Sequence, residues 1–82
     1  MLRITIDLVP YGVESNKKTL SQFEIVNTGK REDSLDIYIV RESADNPTPI
    51  VTFKHHRPAG LNVCVERAFM ALDMAGVDKI PV

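Results

Sequence analysis

One segment, Gly60 to Gly76 (GLNVCVERAFMALDMAG), repeats its apolar residues with a helical period, and it is the only stretch that does. At 3.6 residues per turn, Leu61, Cys64, Val65, Ala68, Ala71, Leu72 and Ala75 fall within an arc of roughly 120°, the stripe a surface helix turns toward a core. Asn62, Glu66 and Asp73 take the opposite side. Pro58 forbids an earlier start because its ring fixes φ and removes an N–H, and Gly76 fits the left-handed residue that ends a helix. A chain with a single helix needs strands to build the other half of its core.

Those strands are written ahead of the helix. Met1 to Val9 alternates, with Leu2, Ile4, Ile6 and Leu8 on one side and Arg3, Thr5, Asp7 and Val9 on the other, the pattern of a half-buried strand. Pro10 and Gly12 stop it, and Tyr11 to Thr19 reads as a polar loop. Leu20 to Asn27 is a second strand with Phe23 and Ile25 on one face, followed by the charged turn Thr28 to Ser34, in which Gly29 accepts positive φ. Leu35 to Glu42 is a third, with Leu35, Ile37 and Ile39 expected inward and Tyr38 and Val40 outward. Ser43 to Pro49 carries Pro47 and Pro49 and is a loop. Ile50 to His55 is a fourth strand with Val51 and Phe53 inward, whereas Val77 to Val82 has no period of its own.

Short connections favour neighbour pairing. The expected fold is therefore α+β: a four-stranded antiparallel sheet (β-β-β-β-α) with one C-terminal helix packed on one face, as a single domain over residues 1–82. The expected inward set is Leu2, Ile4, Ile6, Leu8, Phe23, Ile25, Leu35, Ile37, Ile39, Val51 and Phe53.

Composition narrows function. No apolar run approaches a membrane span or signal sequence, so a cytoplasmic protein without membrane contact is expected. The lone Cys64 excludes an internal disulfide and a cysteine-rich zinc site, and on the core face it reads as a structural thiol. Ten basic and eleven acidic residues leave a formal charge of −1, neither the positive excess of a non-specific nucleic-acid binder nor the negative excess of a DNA mimic.

Lys54-His55-His56-Arg57 is the most conspicuous polar cluster. Adjacent histidines in an extended strand point to opposite faces, which argues against one shared metal ion. Lys54, His56 and Arg57, joined by Lys30 and Arg31, read instead as an anion or nucleic-acid contact just ahead of a helix start. Glu32 and Asp33 offset the hairpin charges, and Tyr11 and Tyr38 are the only stacking candidates for single strands. No phosphate-binding glycine loop and no nucleophile motif is present, and Glu66 and Asp73 read as solvating carboxylates. The reading is non-enzymatic, with no catalytic residue, no metal and no cofactor.

The remaining signal is a second apolar line on the back of the helix, Val63, Met70 and Met74, beside Arg67. Methionine adapts to irregular contacts, and small monomers rarely leave a continuous apolar patch open, so the line reads as a protein interface. A second copy of the chain, giving a homodimer, or another protein would fill it. The competing reading is cover from the C-terminal tail by Ile80 and Val82. Outward Tyr38 and Val40 offer a second interface patch.

The opening Ile4-x-Ile6-x-Leu8-Val9-Pro10-x-Gly12 resembles a set of small uncharacterised proteins encoded in bacteriophages and prophages, and the resemblance continues through Ile25-x-Asn27-x-Gly29, Tyr38, Arg57 and Gly60. The turn after Gly29 departs from that pattern. The resemblance brings no activity to any residue. It implies a phage-encoded protein in the host cytoplasm that binds a host protein or complex, with inhibition of host defence, in the manner of anti-CRISPR proteins, as the functional expectation. The alternative is a nucleic-acid-associated protein.

Overall fold

The computed structural model describes residues 1–56 and 60–78. Four strands, β1 (Leu2–Leu8), β2 (Lys18–Glu32), β3 (Leu35–Arg41) and β4 (Val51–His56), form one antiparallel sheet in the order β1-β2-β3-β4, and helix α1 (Leu61–Met74) follows. This is the expected meander. Two short 3-10 turns, Pro10–Gly12 and Glu14–Asn16, fill the β1–β2 connection.

β2 runs five residues further than expected, through Thr28 to Glu32. The tight turn is Asp33-Ser34 alone, with φ of 52° and 67°, the left-handed pair that matches the right-handed twist of a hairpin. Gly29, at φ 79°, lies instead in a bulge, where Thr28, Gly29 and Lys30 span a single residue of β3. The bulge holds itself: Thr28 Oγ1 donates to the Ile37 carbonyl at 2.8 Å, and the Gly29 N–H donates to Asn27 Oδ1 at 2.9 Å.

Register decides which side chains meet the helix. Leu2 opposes Ile25, which opposes Val40, which opposes Val51, so all four share a face; Ile4, Phe23, Tyr38 and Phe53 share it too. On that face the buried cluster is Phe23, Ile25, Tyr38 and Val40 from the sheet with Ala68 and Leu72 from α1. The expected phase of β3 is therefore reversed. Tyr38 and Val40 point into the core, and Leu35, Ile37 and Ile39 lie half-buried on the face away from α1. Leu8 is likewise exposed rather than inward, because a register shift between Ile6 and Asp7 breaks the alternation of β1.

Helix α1 buries a narrower stripe than its wheel suggests. Ala68 and Leu72 form the centre, Cys64 and Phe69 flank it, and Leu61 and Ala75 at the ends are exposed. The C-terminus closes as expected with Gly76 left-handed at φ 71°. Its N–H donates to the Asp73 carbonyl at 3.1 Å, and Val77 N–H donates to the Leu72 carbonyl at 3.0 Å. These are the paired bonds of a Schellman stop, and Val77 packs on the core as that motif favours.

Candidate functional site

The back of α1 is open. Val63 is half-buried and Arg67 exposed, while Met70 is 51% and Met74 87% exposed, high values for methionine in so small a protein. Their setting comes from topology. β4 ends the sheet, so every second residue turns its N–H and C=O away from β3, and no described strand pairs with that edge. The helix start shares a cavity with Asn27 and Tyr38, whereas Asp78 beyond its end shares one with Ile50, so α1 runs back along β4. Between the two lies an open groove of about 440 Å³ lined by Val51, Thr52, Phe53, Lys54, Arg67, Met70, Ala71, Met74 and Ala75. Three of the four residues in the expected helix line, Arg67, Met70 and Met74, thus share one groove; Val63 does not line it. Ile80 and Val82, the tail residues expected to compete for this surface, lie outside the described residues.

Sequence reasoning missed the other wall. Val51 and Phe53 pack against the core as expected, and the part of their surface left open, with the β4 backbone edge, completes the groove. The signal available was β4's place as the last strand before the helix, which makes it an edge in any meander.

Tyr38 and Val40 form no outward patch. Val40 has no exposed surface, and Tyr38 stacks on Phe53 with ring centroids 5.1 Å apart and planes 7° from parallel. Burial, with smaller contributions from the Cys64 thiol and the Asp36 carboxylate, pushes the Tyr38 phenol above its ordinary pKa. The far face carries Val26, Ile37 and Ile39 instead, half-buried among polar neighbours.

Among the described residues, the basic side chains do not converge into one cationic surface. Lys54 Nζ sits 2.9 Å from Glu32 Oε1, and that contact raises the lysine's pKa. Arg31 turns to the helix side, where its Nε lies 3.1 Å from Asp36 Oδ1 and its guanidinium donates to the Ser34 carbonyl at 3.0 Å. Lys30 stands exposed on the bulge, His56 is exposed at the end of β4, and Arg57 lies outside the described residues. His55 is half-buried and His56 exposed, consistent with side chains on opposite faces of the strand. Their rings stand 84° apart, and His55 Nδ1 lies 3.1 Å from the His56 carbonyl oxygen.

The densest ionic group went unread in the sequence. Register aligns Arg3, Glu24 and Arg41 across three strands on the face away from α1. Arg3 Nη2 reaches Glu24 Oε2 at 2.9 Å and Arg41 Nε reaches Oε1 at 3.0 Å, so both carboxylate oxygens are held and the residue is 1% exposed. The Arg3 hydrogen bond foremost, then Arg41, holds the carboxyl below its usual value against the opposing effect of burial. Among the described residues, no three His, Cys, Asp or Glu side chains are grouped to hold a metal ion, and no helix is long and apolar enough to cross a membrane.

Compared with protein-family models, with curated proteins and with solved structures, the chain matches none.

Proposed function

We propose that this chain is a non-enzymatic binding module whose docking surface is the groove between the free edge of β4 and the Arg67, Met70 and Met74 side of α1. The observation that carries this reading is the exposure of Met70 and Met74 directly beside a strand edge with which no described strand pairs. Apolar side chains and unpaired backbone groups are both costly to leave in water, and a protein partner satisfies them together. The resemblance to phage-encoded proteins supports a host protein or complex as the partner, with inhibition of host defence as the outcome. Nucleic-acid binding is the second reading. It finds less support, because among the described residues Arg31 and Lys54 lie on opposite faces of the sheet and form no continuous basic surface.

The test is paired capture from a bacterial lysate with the wild-type chain and with Met70→Glu combined with Met74→Glu. Both methionines are exposed, so the variant is expected to melt cooperatively within a few degrees of wild type and to lose the captured protein at least tenfold. A variant that still holds the same partner places the interface elsewhere. Duplex DNA binding that is measurable at physiological salt and falls steeply as salt rises would favour the second reading.

A further inference from the structure

The groove has a shape, a length and a charge, and together these specify its occupant. On the proposal that it is a docking surface, one wall is a strand edge with alternate N–H and C=O groups directed outward, which an extended chain satisfies and a helix does not. The two walls match in length. The four β4 residues that line it, Val51 to Lys54, span about 13 Å at 3.3 Å each, and the helical stretch from Arg67 to Ala75 spans about 13 Å at 1.5 Å each. An added strand of about four residues therefore fits between them. Its alternating side chains would meet different surroundings: those on the helix side meet Met70, Ala71 and Met74, and those on the other side stand beside Thr52 and Lys54.

Among the described residues, the lining contains two cations, Lys54 and Arg67, and no anion, although the chain as a whole carries a net charge of −1. The Lys54–Glu32 pair is solvent-exposed on both sides, at 42% and 57%, so a carboxylate arriving along the groove competes with it at little cost. Charge also argues against a second copy. Pairing β4 with its own symmetry mate would bring both copies of Lys54 and Arg67 into one strip, and an edge lysine is a common device against such self-pairing.

We propose that the occupant is an extended acidic segment of another protein that adds to β4 as a fifth strand, with apolar side chains over Met70 and Met74 and carboxylates alternating toward Lys54, the arginine Arg67 reading a further acid. The probe is a ten-residue, end-capped peptide in which valine and glutamate alternate, titrated into the ¹⁵N-labelled, methionine-methyl-labelled full chain and followed by NMR. Three comparison peptides replace every glutamate by lysine, or N-methylate alternate amides along one edge, or present the acids on an amphipathic helix.

The acidic strand is expected to shift the amides of Val51 to Lys54 and the methyls of Met70 and Met74. The lysine peptide is expected to bind at least tenfold more weakly, and the edge-methylated peptide whose N–H groups would face β4 not at all. In Lys54→Glu combined with Arg67→Glu, both at exposed positions, the preference should reverse toward the lysine peptide. Equal response to acidic and basic strands, or an unimpaired response to the edge-methylated peptide, overturns the inference. Groove shifts produced only by the helical peptide, or by raising the protein concentration with no peptide present, overturn strand addition while leaving the groove a docking surface. Silence of the groove toward every probe removes both readings.

Discussion

Glu24 lies on the sheet face that α1 does not cover, and yet it is among the least exposed side chains in the protein. Two arginines supply the cover. Arg3 and Arg41 lie flanking it in register, and their stems shield what their guanidinium groups neutralise. The linkage to pH follows from the depressed pKa. A carboxyl held below its unfolded value of 4.5 contributes its full stability above that pH and loses it as pH falls through the lower folded value. Glu24→Gln is therefore expected to lower the urea midpoint at pH 7, with the gap to wild type narrowing as the pH falls below 4.5 and the native carboxyl protonates. Parallel urea titrations at several pH values measure this, and a gap independent of pH would show that packing, not charge, holds the residue. The triad was not legible in the sequence, because nothing in the local pattern around Arg3, Glu24 or Arg41 says that these three align. Only the register of two hairpins brings them together.

At the scale of elements, the strand count, the antiparallel order and the helix with its Gly76 stop were all readable from alternation, turn residues and a 3.6-residue period. The phase of β3 was not. Its two faces are both apolar, Leu35, Ile37 and Ile39 on one and Tyr38 and Val40 on the other, so periodicity says that they separate without saying which faces the helix. The bulge at Thr28 to Lys30 and the two-residue turn at Asp33-Ser34 settle the matter, placing Tyr38 opposite Phe53 where the rings stack beneath α1. Asp36 accompanies them inward and is held by Asn27 Nδ2 at 3.1 Å and by Arg31. Neighbouring substitutions expose this phase. Val40→Ala removes fully buried methyl groups and is expected to cost roughly 2 kcal/mol, whereas Ile39→Ala on the half-exposed face should cost under about 1 kcal/mol. Chemical denaturation of the two variants gives the comparison, and the opposite order would restore the inward assignment of Ile39.

The whole molecule is long for its chain length. It measures 47 × 24 × 23 Å with a radius of gyration of 14.1 Å, against about 12 Å for a compact domain of this size. The elongation comes from stagger, since β1 pairs with the first part of β2 and β3 with the last, leaving the charged β2–β3 hairpin to extend past the core. One helix covers one face of such a sheet, and among the described residues no strand pairs with either outer edge. At the β4 edge that freedom coincides with the exposed methionines, so the helix line that reads as an interface in the sequence gains a second wall from topology. Photo-crosslinking locates a partner on this surface directly. A photoreactive phenylalanine in place of Met74, in the groove, and another in place of Thr5, on the opposite sheet face and also exposed, report on the two sides of the molecule in the same lysate. A discrete adduct from position 74 with none from position 5 is the expected result; an adduct from position 5 alone would contradict the assignment of function to the groove.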